Sequence, residues 1–283
     1  MTQAWLIFGG AYGNLEATRA LFAAADELNI GGDHIICTGD VAAYCADPNA
    51  VVDLIRARNI AVVMGNCEES LGLGRDDCGC GFEQGSACLE LSQNWHAFNS
   101  AQLTQENRTW MAALARRIVV QIGGFTVAVI HGGVGEIAKF IFASSPDETF
   151  HQEFGRANCD IIVAGHSGLP FTRSWPHRLW HNAGVIGMPA NDATPRTWFS
   201  VLTPEPGGLT IDHLELTYDY SDTAKKMIAQ RLPAGYAECL NTGLWPSRDV
   251  LPEGEKRQTG RPLSYARLHW TPSNYLDTAA SAP

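Results

Sequence analysis

HIICTGD, residues 34–40, is a short apolar run that stops on a glycine and a carboxylate. Ile35, Ile36 and Cys37 have the composition of a buried strand. The same kind of ending recurs three times downstream. IAVVMGN (60–66) closes on Gly65-Asn66, VAVIHGG (127–133) on His131-Gly132, and IIVAGHSG (161–168) on Gly165-His166. Each run delivers one metal-competent side chain beside a glycine, which lets the backbone bend sharply behind it. In an α/β sheet, ligands gather outside the carboxyl ends of the strands. Asp40, Asn66, His131 and His166 are therefore expected to meet as a nitrogen and oxygen site suited to zinc, manganese or iron.

The flanking sequence supports this sheet. WLIF (5–8) precedes apolar residues at helical spacing over 14–29. DPNAVVDLIRARN (47–59) reads as a helix with Asp47 as cap and Pro48 in its first position. Strand–helix–strand units of this kind predict parallel strands with helices on their faces. CEESLGLGRDDCGCGFEQG (67–85) has no period and reads as a long irregular loop. Helices are expected near 86–98 and 104–115, the second starting at Thr104. Gly123-Gly124 joins RIVVQI to FTVAVI as a hairpin. Beyond residue 168 the chain reads as mostly strand, through PFTRSW, RLWHNAG, TWFSVLT and LTIDHLEL. The expected organisation is one domain over 1–231, with a Pro-rich extension, 232–283, packed on it or trailing from it.

Bulk properties exclude several classes. The chain has 283 residues, 45% of them apolar, enough for a large core without staples. A net charge of −10 argues against sequence-independent nucleic-acid binding. A bound metal would still let a small anion approach. No apolar run is long enough to span a membrane, and the start lacks a secretory pattern. The eight cysteines then read as reduced thiols of a cytoplasmic protein.

The order GD, GN, HG, GH resembles the calcineurin-like metallophosphoesterases, in particular their small bacterial branch. The resemblance runs from about residue 4 to about 205 and includes the flanks GDVAAYCADPNAVVDLIR, WHAFNSAQLTQENRTWMAAL and HNAGVIGMPANDATPR. It implies a four-layer α/β/β/α sandwich with two mixed sheets. It also implies hydrolysis of phosphomonoesters or phosphodiesters at a two-metal centre.

Against that family, the stretch FGGAYGN (8–14) is altered. The family ends its first strand in Asp-x-His before Gly-Asn. Here Gly13-Asn14 align, Gly10 stands at the Asp and Tyr12 at the His. Gly168 replaces the second His of the GHxH motif, and Cys67 replaces the His of the GNH motif. The ligands of the family's first metal are thus lost, apart from the bridging Asp40. The second set, Asp40, Asn66, His131 and His166, is intact.

Three readings follow. One is a phosphoesterase with a reduced or altered centre. It would hold one divalent transition metal per chain, with a water on that metal as nucleophile, Cys67 and Tyr12 as catalytic candidates, and a small phosphorylated substrate. The second adds thiolates, with Cys45, Cys78 and Cys80 (and Cys67) as further ligands and His181 as another candidate. The third is an inactive ligand-binding or regulatory protein on the same scaffold. Glu68 and Glu69 stand beside the site, as supports or as a solvated loop. Arg173 and Arg196 are candidates to steer a phosphate.

Overall fold

The computed structural model describes residues 3–272. Strand β1 (Trp5–Phe8) pairs in parallel with β2 (Ile35–Cys37), which pairs in parallel with β3 (Ala61–Val62). Helices α1 (Leu15–Glu27) and α2 (Pro48–Arg58) make the crossovers. Next come α3 (Asn66–Leu73), α4 (Ala87–Gln102), α5 (Gln105–Ala112) and the hairpin β4 (Arg117–Ile122)–β5 (Phe125–Ile130). Gly123 and Gly124 both have positive φ, as the tight turn of such a hairpin requires. Then follow α6 (Asp147–Ala157), β6 (Ile161–Ala164), β7 (Pro170–Trp175) and β8 (Arg178–Ala183). The described chain closes with β9 (Thr197–Glu205), β10 (Gly208–Leu216), α7 (Tyr220–Ala229), α8 (Ala234–Thr242), α9 (Glu253–Lys256) and β11 (Leu268–Trp270).

One sheet has the order β11-β10-β9-β1-β2-β3 and the other β4-β5-β6-β8-β7. Both mix parallel and antiparallel pairs. The period-two alternation of a strand then builds four layers. Ile7, Ile36, Val127, Val129, Ile161 and Val163 point into a core between the sheets. Leu6, Phe8, Ile35 and Cys37 face helices on the outside of the first sheet. Ala128, Ile130, Ile162 and Ala164 face α6, through Phe150 and Phe154, on the outside of the second. The expected α/β/β/α sandwich with two mixed sheets is the fold observed.

Three local expectations are corrected. The first part of the segment 67–85 is helix α3, because Glu68 folds back to accept the Gly65 N–H at 2.9 Å and caps the helix start. Helix α6 lies in a stretch with no expected element; Phe150, Glu153, Phe154 and Ala157 form its buried face. After residue 168 the four runs expected as strand are β7, β8, β9 and β10, and what was not expected is the helix pair that follows, α7 and α8, which pack on each other with α7 against α1.

Residues 232–272 are packed on the body. Leu240 is fully buried in the helix-side core, and β11 extends the first sheet beside β10. Trp270 enters the inter-sheet core and meets the Phe125 ring at 5.0 Å. The rest of the expected extension, 273–283, lies outside the described residues. Among the described residues no helix is long and apolar enough to cross a membrane.

Trp270→Ala should therefore cost about 3–5 kcal/mol of stability, the usual range for a truncated core aromatic. Urea unfolding measures it. A loss below about 1 kcal/mol would mean that β11 contributes little to the inter-sheet core.

Candidate metal centre

The four strand endings converge. Asp40 follows β2, Asn66 opens α3 after β3, His131 follows β5 and His166 follows β6. Ligand atoms of Asp40, His131 and His166 lie within 4.8 Å of one another, and all three residues are buried. His131 Nε2 is the meeting point. It lies 3.0 Å from Asn66 Oδ1, 3.0 Å from His166 Nδ1 and 3.3 Å from Asp40 Oδ2.

The tautomer of His131 is fixed from behind. Its Nδ1 is 2.6 Å from the Thr38 carbonyl, which can only accept, so Nδ1 carries the proton. In the neutral ring, Nε2 then turns a lone pair toward an amide oxygen, a carboxylate and a second imidazole. Converging lone pairs in a buried site need a cation among them. One carboxylate, one amide oxygen and two imidazoles fit a divalent transition metal.

The electrostatics favour positive charge at the same point. Burial pushes Asp40 up, but the charge and hydrogen bond of His131, with His166, outweigh it and hold the carboxyl at about 2. Burial lowers His131, but Asp40 and the Thr38 carbonyl reverse the direction and raise it. Burial, then the neighbouring His131, drops His166 to about 3, leaving a neutral ring with a lone pair to give.

Local backbone geometry makes the convergence possible. Asp40 and His166 both adopt positive φ, +60° and +36°. Such strain in non-glycine residues persists only where the surroundings impose it. A Cβ on Gly65 would lie 2.3 Å from Asp40 Oδ1, so only glycine allows the α3 start to approach the carboxylate. The helix start then donates the Cys67 N–H to Asp40 Oδ1 at 3.1 Å.

Glu68 is fully buried and holds the turn from below. Its carboxylate accepts the N–H groups of Asp40 at 2.7 Å, Val41 at 2.7 Å and Gly65 at 2.9 Å. Burial, then the nearby Asp40 charge, pushes its carboxyl up to about 7. Of the two roles left open for it, support is the one the structure fills. Glu69 instead pairs with Arg75 and Arg116.

The opening turn runs beside this cluster. Tyr12 N–H donates to the Asp40 carbonyl at 3.1 Å, and Gly10 N–H to Gly39 at 3.1 Å. Tyr12, at φ +53°, folds its ring back over Gly10. A Cβ on Gly10 would sit 2.5 Å from Tyr12 Cζ, so no larger side chain fits there while the ring stays. Asn14 caps α1, accepting from Ala17 N–H at 3.1 Å.

Other expected site residues are placed less centrally. Cys67 is buried, and burial, Asp40 and Glu68 push its thiol up, so it is no thiolate at neutral pH. Cys78 and Cys80 form a disulfide, in place of the reduced thiols expected, and a disulfide sulfur is not a thiolate ligand. Cys80 Sγ lies 3.4 Å from Asn66 Nδ2. Cys45 is buried against the Gly187 carbonyl, 3.8 Å away. His181 is fully buried beside Thr172, at 2.9 Å, with its ring 4.9 Å from that of His213. It is its neighbour Asn182 that turns toward the site, donating to Gly165 O at 2.6 Å and steadying the His166 loop. Arg173 pairs with Asp147, and Arg196 with Asp192 and Glu215.

Beside the cluster lies a cleft lined by Tyr12, Tyr44, Phe82, Phe140 and, from beyond residue 231, Tyr236 and Trp245. Tyr236 and Trp245 were missed by the sequence reading, which had no local signal to bring them here.

Residues 12–205 match the calcineurin-like phosphoesterase superfamily domain. An uncharacterized protein of Methanocaldococcus jannaschii, MJ0912, is 26% identical over 251 residues, spanning 84% of this chain and 97% of its own. A metallophosphoesterase from Sphaerobacter thermophilus superposes with a TM-score of 0.68 at 20% identity, covering 86% of this chain and 100% of that one. The hypothetical protein PH1004 from Pyrococcus horikoshii OT3 gives 0.72 at 16% identity, over 86% and 99%. Both structures share this fold.

Removing Glu68 tests the support under Asp40. Glu68→Ala strips an acceptor from buried N–H groups that cost about 1–3 kcal/mol each when unpaired. We expect unfolding in urea to report a loss of about 3 kcal/mol or more. An unchanged midpoint and slope would show that Glu68 bears no such role.

Proposed function

This chain belongs to the calcineurin-like phosphoesterase superfamily, and from that premise we propose that it is a metal-dependent phosphoesterase with a single-metal centre. The observation that supports the reading is the meeting of Asp40, Asn66 and His166 at His131 Nε2, within 3.3 Å. Asp40 is the carboxylate ligand, Asn66 the amide-oxygen ligand, and His131 and His166 the imidazole ligands. A divalent metal bound there supplies Lewis acidity toward the phosphoester and, in the case of zinc, lowers the pKa of water to about 7.

The chain's own groups do the rest. The Thr38 carbonyl orients His131 and keeps its proton on Nδ1. Glu68 holds the Asp40 turn. The Tyr12 ring over Gly10 takes space that the resemblance assigns to ligands of the family's first metal, which favours one metal over two. Burial, then the Asp40 charge, keeps the Tyr12 phenol protonated, so it is a hydrogen-bond donor to a phosphoryl oxygen. The Cys67 thiol stays protonated for the same reasons and is the second candidate donor. The substrate is a small phosphorylated molecule, because the cleft ends at a buried cluster and not at an open surface.

The test is hydrolysis of p-nitrophenyl phosphate and bis(p-nitrophenyl) phosphate by chelator-stripped protein, before and after adding Mn, Zn or Fe. Activity should appear only with metal, and His131→Ala should lower kcat/KM by more than about 100-fold. Hydrolysis that needs no metal, or that survives His131→Ala, would overturn the proposal. Metal binding without hydrolysis of either ester would favour a ligand-binding protein on this scaffold.

A further inference from the structure

The two glycines that stand at lost ligand positions are each covered by an aromatic ring. Tyr12 folds over Gly10, and the Trp245 indole lies 3.6 Å from where a Cβ on Gly168 would be. Trp245 comes from residues 232–272 and is pinned by its Nε1–H donating to the Pro189 carbonyl at 2.7 Å. Tyr12 is backed by Tyr44, with ring centroids 4.7 Å apart, and Tyr44 by Tyr236 at 4.7 Å. On the other side, Phe140 lies on the ring of His166 at 4.2 Å and is stacked with Phe82 at 6.2 Å. The aromatic wall therefore reaches the cluster itself, at the His166 ring.

The cleft's charge is equally informative. Asp40 is the one acidic side chain in its lining, and no lysine or arginine joins it among the described residues. The two arginines nearest in expectation, Arg173 and Arg196, are paired elsewhere. Such a cleft has no cationic side chain to hold a second phosphate or an acidic peptide. It has flat apolar surfaces with which an aromatic group packs face to edge or offset.

We infer that the cleft walled by the rings that cover Gly10 and Gly168 is a subsite for the organic part of the substrate, and that this part is an aromatic or flat apolar group carried on a single phosphoryl centre. The inference rests on the phosphoesterase reading for the position of the phosphoryl group, and on the Tyr12 and Trp245 walls for the group beside it. The C-terminal segment is then a specificity element, because it brings Trp245 and Tyr236 to a site whose metal ligands all come from earlier in the chain.

Phenylphosphonate and methylphosphonate separate the two claims, since neither is hydrolysed. Calorimetry on the full-length, Mn-loaded protein should show phenylphosphonate binding about ten-fold or more tightly than methylphosphonate, which is a difference of about 1.4 kcal/mol. In Trp245→Ala the preference should fall to about two-fold or less, with metal content unchanged. Phe82→Ala, on the opposite wall and half-buried, makes the same comparison should the loss of Trp245 unsettle the C-terminal segment. Equal binding of the two phosphonates, or a preference untouched by both variants, would overturn the subsite even if the protein hydrolyses p-nitrophenyl esters. A preserved phenyl preference in a protein that hydrolyses no ester would uphold the subsite and sink the phosphoesterase reading instead.

Discussion

A carboxylate and two imidazoles within 4.8 Å, all three buried, are the constraint around which this molecule is built. Their lone pairs face one another, and burial removes the solvent that would separate them. The parts of the fold nearest the cluster each work against that tension. Parallel strands deliver their carboxyl ends to one edge. Gly39 and Gly65 let two of these ends nearly touch, since a Cβ on Gly39 would lie 2.7 Å from Gly65 N. The start of α3 offers its Cys67 N–H to Asp40, and Glu68 pins the turn from the opposite side.

On the other side of the cluster, Gly10 and Gly168 do not leave a hole. Close packing does not tolerate a void of that size without cost. Tyr12 and Trp245 fill the space over Gly10 and Gly168, one from the start of the chain and one from near its end. Under the proposed reading, such a filling adds the face of an organic group to what the site recognises beside a phosphoryl centre. The Cys78–Cys80 disulfide sits on the rim of this filling, with Cys80 against the Asn66 amide.

The four strand-end residues of the cluster were legible because each is signalled locally, by a strand and a glycine within a few residues. The two mixed sheets were legible only through the family resemblance, because strand order is set by contacts far apart in sequence. Helix α3 was hidden by Gly72 and Gly74, and its true signal was Glu68 three residues after Gly65. The buried stripe of α6, Phe150, Phe154 and Ala157, was present in the sequence but masked by the charged residues between. His181 and Asn182 are adjacent on β8, so they face opposite sides, and the alternation puts the amide toward the site and the imidazole inside. Nothing local marks Tyr236 or Trp245 as site residues; only packing of the last helices brings them there. The cysteines were read from compartment chemistry, which does not register that residues 78 and 80 lie close enough to join.

The account stands or falls on how many metals the chain holds. Elemental analysis of protein purified without chelator or added metal measures this directly. The account predicts about one equivalent of Mn, Zn or Fe per chain, removed by His131→Ala and unaffected by Tyr12→Phe. About two equivalents, or none even after incubation with each metal, would contradict it.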